Sequence, residues 1–177
     1  VRVVAFPHCS NVIAEINDRF PRTHGNTAVP LSRVTCAFRS SRELPDHPPG
    51  DPTEVEARIG RIVADLIEDG STLQMGIGAI PDAVLSSLGN KHDLGVHTEM
   101  FSDRLIDLVE AGVITNRHKE VHPGRIVTSF CSGSRRLYDF VDDNCIVEFH
   151  GCDRTNDTAI IRRNPKVVAI NSALQID

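Results

Sequence analysis

A short apolar run at residues 72–76 closes on Gly76-Ile77-Gly78, and this junction constrains the fold more than any other stretch of the chain. Two glycines around a single residue admit a close backbone approach, because no Cβ stands in the way. Pro81 follows at a first-turn position, where its missing N–H costs nothing and its fixed φ suits a helix. The pattern therefore predicts strand, glycine turn and helix in that order. Such a turn leaves unpaired N–H groups at the helix start, a natural cradle for an anion or oxyanion. Residues 93–98 read as a second strand and set Glu99 at or just past its C-terminal end. In open α/β sheets that edge is where ligands bind. Each feature also has a plainer meaning: a G-x-G turn is often only a tight turn, and a glutamate ahead of a helix only a solvated charge.

The flanking pattern repeats the alternation. Thr53 and Glu56 form a capping-box pair, after which Val55, Ile59, Ile62, Val63, Leu66 and Ile67 fall on one helical face, with Asp69-Gly70 as the stop. Ser102 can cap a further helix carrying Leu105, Ile106, Leu108 and Val109 and ending at Gly112. Strands are expected at residues 125–130, 145–149 and 166–172, with helical segments at 134–141 and 158–163. Upstream, residues 1–6, 12–16 and 33–38 read as strands, the second apolar enough for a buried parallel one. Residues 44–52 hold four prolines and a glycine and read as a linker. Strands and helices in alternation predict a layered, parallel α/β domain.

Several segments in a fixed order are similar to the acetyl-CoA hydrolase/transferase family, and within it to the 4-hydroxybutyrate CoA-transferases. They are GIGAIPDAV, DLGVHTEMFSD, LVEAGVIT, HPGRIV, LYDFVDDN and AINSALQID, over a match covering roughly residues 11–177 and strongest from Leu73 onward. An ordered set of motifs is far more specific than any one of them. The resemblance implies coenzyme A as the acyl carrier, no metal, and Glu99 as a nucleophile that becomes a glutamyl-CoA thioester. It further implies that Gly76, Ile77, Gly78, Ala79 and Ile80 contact CoA, with the Ile77 N–H facing the oxyanion. Asn156, in a T-N-D segment, matches a family asparagine near the nucleophile, although an Asx turn opening the next helix explains it about as well. Leu174 matches a position that touches CoA, and equally fits an ordinary core leucine. Gln175 and Asp82 depart from the family's more usual Glu and Asn, which bears on acid selectivity rather than on reaction class.

Family members are more than twice as long, so the chain is expected to be a central piece. On that reading residues 1–46 end an N-terminal domain, 47–52 are the linker, and 53–177 begin the C-terminal CoA-transferase domain. A second glycine-rich loop of the family lies beyond Asp177.

Composition narrows the remaining classes. With 40% hydrophobic and 24% charged residues, the chain is that of an ordinary globular protein able to bury one sizeable core. A net charge of −5, with the two signs interspersed, gives no footprint for nucleic acid. No apolar run is long enough to span a membrane, and no signal peptide is visible at the N-terminus. Five cysteines without a CxxC pair fit reduced thiols in the cytoplasm. His97 and Glu99 make an H-x-E pair, but the P-C-x-x-C partner of the zinc deaminases is absent. His150, Cys152 and Cys145 do not complete a four-ligand zinc site. Ser132-Gly133-Ser134 is not a G-x-S-x-G elbow. Beside these exclusions, the resemblance implies CoA transfer between a short acyl-CoA and a small carboxylic acid by a homo-oligomer. Acetyl-CoA hydrolysis and a non-catalytic acyl-CoA-binding remnant stay open beside it.

Overall fold

Residues 8–173 are described by the computed structural model; the expected strand at 1–6 and Leu174 lie outside them. The first long helix, α1 (Glu54–Asp65), starts as its capping box predicts, with Glu56 N donating to Thr53 Oγ1 and Thr53 N to Glu56 Oε2. It stops at Leu66, before Asp69-Gly70. Its buried residues are Gly60 and Ala64, while Val55, Ile62 and Leu66 stand exposed. The apolar stripe read from the sequence therefore packs only in part: Ile67 is 1% exposed and Val63 lies against the core, while Val55, Ile62 and Leu66 stay outside. The reason lies in how closely the next helix approaches: a Cβ on Gly60 would stand 2.6 Å from the Ala83 carbonyl oxygen of α2 (Ala79–Ser86). Only small residues fit that crossing, so the packing face of α1 is centred on Gly60 and Ala64, with Val63 beside them against the core.

Between these helices runs β4 (Thr72–Met75), the first of the central strands. It pairs in parallel with β10 (Val167–Ile170) on one side and β5 (Gly95–Val96) on the other. A second parallel set joins β7 (Ile126–Thr128), β9 (Val147–Phe149) and β2 (His24–Gly25). A parallel bridge between His97 and Val127 links the two, giving the order β10-β4-β5-β7-β9-β2. Past a break, β5 resumes as β6 (Met100–Phe101) and β7 as β8 (Phe130–Cys131), paired Met100 to Phe130. The helices α3 (Asp103–Glu110) and α4 (Arg135–Val141) follow these short strands, α3 packing against both α2 and α4. The parallel α/β architecture is the one the alternation predicts.

Leu73, Met75, Val84, Phe101, Leu105 and Ile126 are each 1% exposed or less and anchor the core between sheet and helices. Phe101 stacks on Phe140 at 5.8 Å between ring centroids, which ties β6 to α4. Among the described residues no helix is long and apolar enough to cross a membrane.

The N-terminal segment contributes β1 (Ile13–Asn17) and β3 (Cys36–Ser40), a parallel pair of its own. Ile13 and Ile16 are 69% and 55% exposed, so the strand expected to be buried is not covered. The same segment donates β2 to the edge of the main sheet, which the pattern did not foresee. Residues 41–53 hold no regular element, yet they lie along α4: Tyr138 donates to the Pro45 carbonyl at 3.0 Å and His47 N to the Gly133 carbonyl at 2.9 Å.

Candidate active site

The break between β5 and β6 is built by a threonine. Thr98, fully buried, accepts from Met75 N at 3.0 Å and turns its hydroxyl toward the Met75 and Met100 carbonyls, each at 3.1 Å. Its hydroxyl thus replaces the ladder bonds that the strand gives up there. One strand over, Thr128 repeats the device, with its hydroxyl toward the Glu99 carbonyl at 3.0 Å and the Phe130 carbonyl at 3.2 Å. The Glu99 carbonyl also accepts from Ser129 N and Phe130 N, at 2.9 and 3.1 Å. Glu99 therefore sits with a triply bonded carbonyl at the C-terminal ends of the central strands, its side chain half-buried.

Both carboxylate oxygens have a donor. Asn156 Nδ2 donates to Oε2 at 2.9 Å, and the Cys152 thiol lies 3.7 Å from Oε1. The two donors flank the single-turn helix α5 (Cys152–Thr155), four residues apart and so on one side of the turn. Asn156 is the C-cap of α5; the cap that opens α6 (Thr158–Ile161) is Asp157, which accepts from Ala159 N at 2.7 Å. The Asx role weighed for Asn156 thus belongs to its neighbour. His97 fastens α5 from below. Its Nε2 lies 2.9 Å from the Thr155 carbonyl, so that nitrogen carries the proton, and burial pushes the imidazole below its usual range and keeps it neutral.

The two glycines of the turn serve different ends. Gly76 N donates to the Ile170 carbonyl at 2.7 Å, and a Cβ there would meet Asn171 Oδ1 at 2.7 Å, so Gly76 admits β10 rather than a ligand. Gly78 takes φ 108° as N-cap of α2 and has nothing within 4 Å of its missing Cβ. Ile77 between them is 64% exposed, and Ala79 and Ile80 open the helix. Ile77 and Gly78 share a small cavity of about 90 Å³ with Met100 and Ser102, which brings the turn beside the strand that follows Glu99. Asp82, on the rim, is held above the usual carboxylate range by burial, with Arg104 opposing and Asp103 adding to the shift. Leu174 lies outside the described residues.

A second cluster escaped the sequence reading. His122 Nδ1 and His150 Nε2 both point at Glu148 Oε2, at 2.7 and 3.1 Å. Glu148 and His150 share one face of β9 and its extension, a two-residue spacing too common to flag, and His122 comes from a turn at positive φ. The donor atoms lie within 4.8 Å of one another and are of the types that hold zinc. Their surroundings are already cationic. Arg154 Nη2 approaches His122 Nε2 at 3.2 Å and can only donate, which fixes the proton on Nδ1. Arg125 lies 3.8 Å from the other Glu148 oxygen. Lys119, 3% exposed, donates to the Val96 and Arg125 carbonyls, and burial pushes it down to about 7. Burial works to raise Glu148, but hydrogen bonding from His150 and the nearby cations hold it below its usual range. These residues brace the ends of β5, β7 and β9 and, through Arg154, the turn that carries Cys152 and Asn156.

The profile of the acetyl-CoA hydrolase/transferase C-terminal domain matches residues 133–177. A succinyl-CoA:acetate/propanoyl-CoA:succinate CoA transferase of Fasciola hepatica is 45% identical over 174 residues, covering 98% of this chain and 36% of that protein. A 4-hydroxybutyrate coenzyme A transferase of Clostridium kluyveri is 48% identical over 166 residues, covering 94% of this chain and 39% of that one. The chain belongs to the acetyl-CoA hydrolase/transferase family. A crystal structure of a 4-hydroxybutyrate CoA-transferase from Porphyromonas gingivalis superposes with a TM-score of 0.90 at 40% identity, over 94% of this chain and 42% of that one. The chain thus spans roughly two fifths of the length of these acetyl-CoA hydrolase/transferase relatives. The similarity runs through the strand break, the glycine turn and the 151–156 turn alike, since it covers nearly the whole chain.

Proposed function

We propose that this chain carries the nucleophile of a CoA-transferase, which moves CoA between a short-chain acyl-CoA and a small carboxylate through a glutamyl-CoA thioester at Glu99. The observation that carries the reading is the pair of donors on the Glu99 carboxylate. Asn156 holds Oε2 with a full hydrogen bond, whereas the thiol at 3.7 Å binds Oε1 weakly. Oε1 is the freer oxygen and the one to attack.

Glu99 Oε1 adds to the thioester carbonyl and expels CoA thiolate, leaving an acyl–glutamyl anhydride. The thiolate then attacks the glutamyl carbonyl, releasing the first carboxylate and forming the glutamyl-CoA thioester. The acceptor carboxylate reverses both steps. Each addition places negative charge on a carbonyl oxygen, and one backbone N–H such as that of Ile77 contributes about 2.7–4 kcal/mol when aimed there. No proton has to be moved by the protein, which agrees with the neutral, committed state of His97 and His122.

The same reading assigns residues 1–46 to the end of a preceding domain, 47–52 to a linker and 53–177 to the start of the C-terminal domain. It goes with a homo-oligomer in the cytoplasm, where the Cys131 and Cys152 thiols stay reduced. The test is trapping. Acyl-CoA followed by borohydride should inactivate the full-length protein and convert Glu99 to an alcohol, found by mapping the peptide around residues 94–104. Glu99→Gln should show neither turnover nor trapping while melting like the parent. Modification of Cys152 or Cys131 in place of Glu99 would overturn the mechanism.

A further inference from the structure

The wall behind Glu99 encloses a cavity of about 420 Å³, inside the roughly 300–1,000 Å³ range of small-molecule sites. Cys152, whose thiol touches Glu99 Oε1, lines it, as do Ser129 and Phe130, whose amides hold the Glu99 carbonyl. The cavity thus reaches the residue that touches Glu99 Oε1, while the glycine turn shares a separate small cavity with Met100. Its surface is mainly apolar, with Phe20, Leu44, Pro45, Phe130 and Phe149 in the lining.

Several polar groups of the wall are engaged or sealed, while the Thr23 hydroxyl and the exposed Asn26 side chain stand in the lining as neutral groups. Tyr138 donates to the Pro45 carbonyl, and His150 turns Nε2 to Glu148. Ser129 Oγ and His150 Nδ1 have no partner, but both atoms are closed off from solvent and do not reach the cavity surface. No lysine or arginine lines the cavity among the described residues. The guanidiniums nearest in sequence are engaged elsewhere: Arg22 with Asp143, Arg135 with Asp139, Arg154 with His122.

We propose that this cavity seats the acyl group, and that the acid it selects is an apolar monocarboxylate larger than acetate, not a dicarboxylate. The inference rests on the CoA-transferase reading and deepens it. An apolar chain gains from each methylene it buries, about 0.8 kcal/mol or roughly fourfold. A second carboxylate would enter the same space with no counter-charge, which is strongly unfavourable.

The experiment uses the full-length protein with acetyl-CoA as donor and a panel of acceptors: acetate, butyrate, hexanoate, cyclohexanecarboxylate and succinate. Product acyl-CoA is resolved by chromatography. We expect kcat/KM to rise about tenfold from acetate to butyrate, to rise again for hexanoate or the ring acid, and to lie at least a hundredfold lower for succinate than for hexanoate. Leu44→Arg, which brings a cation to the rim, should move the succinate-to-hexanoate ratio upward by at least tenfold. A flat dependence on chain length, or succinate equal to hexanoate in the parent protein, overturns the proposal and leaves the transferase reading standing. Absence of exchange with every acid, acetate included, overturns both.

Discussion

Replacing Asn156 with alanine removes the 2.9 Å bond to Glu99 Oε2 and leaves the Cys152 thiol as the carboxylate's one side-chain donor among the described residues. A hydrogen bond to a charged group contributes about 1.5–3 kcal/mol. The Asn156–Glu99 contact lies near solvent, which puts it at the low end, ~1.5 kcal/mol, or about tenfold in rate. Asn156→Asp goes further, because it sets a second carboxylate where the amide was. Two like charges about 4 Å apart repel by ~1 kcal/mol in water and ~4 kcal/mol near a protein surface. Added to the lost bond, that predicts a fall of roughly a hundredfold or more. The assay is the initial rate of CoA transfer to acetate by the full-length variants, with kcat and KM separated and a thermal melt alongside. The loss should appear mainly in kcat, since the amide orients the nucleophile and is not asked to hold the ligand. An Asn156→Asp enzyme within twofold of the parent, or a loss that tracks a lowered melting temperature, would refute the reasoning.

Two further outcomes test the scaffold. Gly60→Ala, which in an open helix would stabilise by up to about 1 kcal/mol, should here destabilise by ~1–3 kcal/mol, because the new methyl meets the Ala83 carbonyl at 2.6 Å; an unchanged or raised urea midpoint would contradict the packing. Lys119, pushed down to about 7 from an ordinary 10.5, stays neutral in the folded chain while the unfolded chain still binds its proton, so stability should rise with pH across that window by up to about 1.4 kcal/mol per unit. Lys119→Met should lose the slope, and parallel urea midpoints for parent and variant from about pH 7.5 to 9.5 would show that the ammonium persists in the fold.

The parts of this molecule that were legible in the sequence are those decided locally. Thr53 and Glu56 complete their capping box within four residues, and Gly78, at φ 108°, turns β4 into α2 where the spacing predicts it. Glu99 falls past the C-terminal end of β5 as expected, although the strand read at residues 93–98 shortens to Gly95–Val96. What stayed hidden depends on neighbours distant in sequence. Gly60 joins the α1 packing face only because Ala83 comes so close. Residues 125–130 read as one strand, and the interruption at Ser129 follows from the carbonyl of Glu99, thirty positions upstream. Asn156 and Glu99 come together across 57 positions, and no spacing rule could have set the amide on the carboxylate; only the family resemblance pointed there. His122 and Glu148 meet for the same reason and carried no signal at all.

The two threonines that interrupt neighbouring strands make the seat of Glu99 a property of the main chain. Every bond that shapes the interruption at Glu99 runs through its backbone carbonyl or through Thr98; none uses its carboxylate. The side chain is a fitting in a mount that exists without it. Ser129, in register one strand over and roughly 5 Å away, rests in a matching mount bounded by Thr128. A lineage that lost the carboxylate at 99 would therefore keep a foldable protein with its glycine turn intact. Chemistry at this sheet edge can be abandoned, or shifted to the adjoining position, without rebuilding the architecture beneath it.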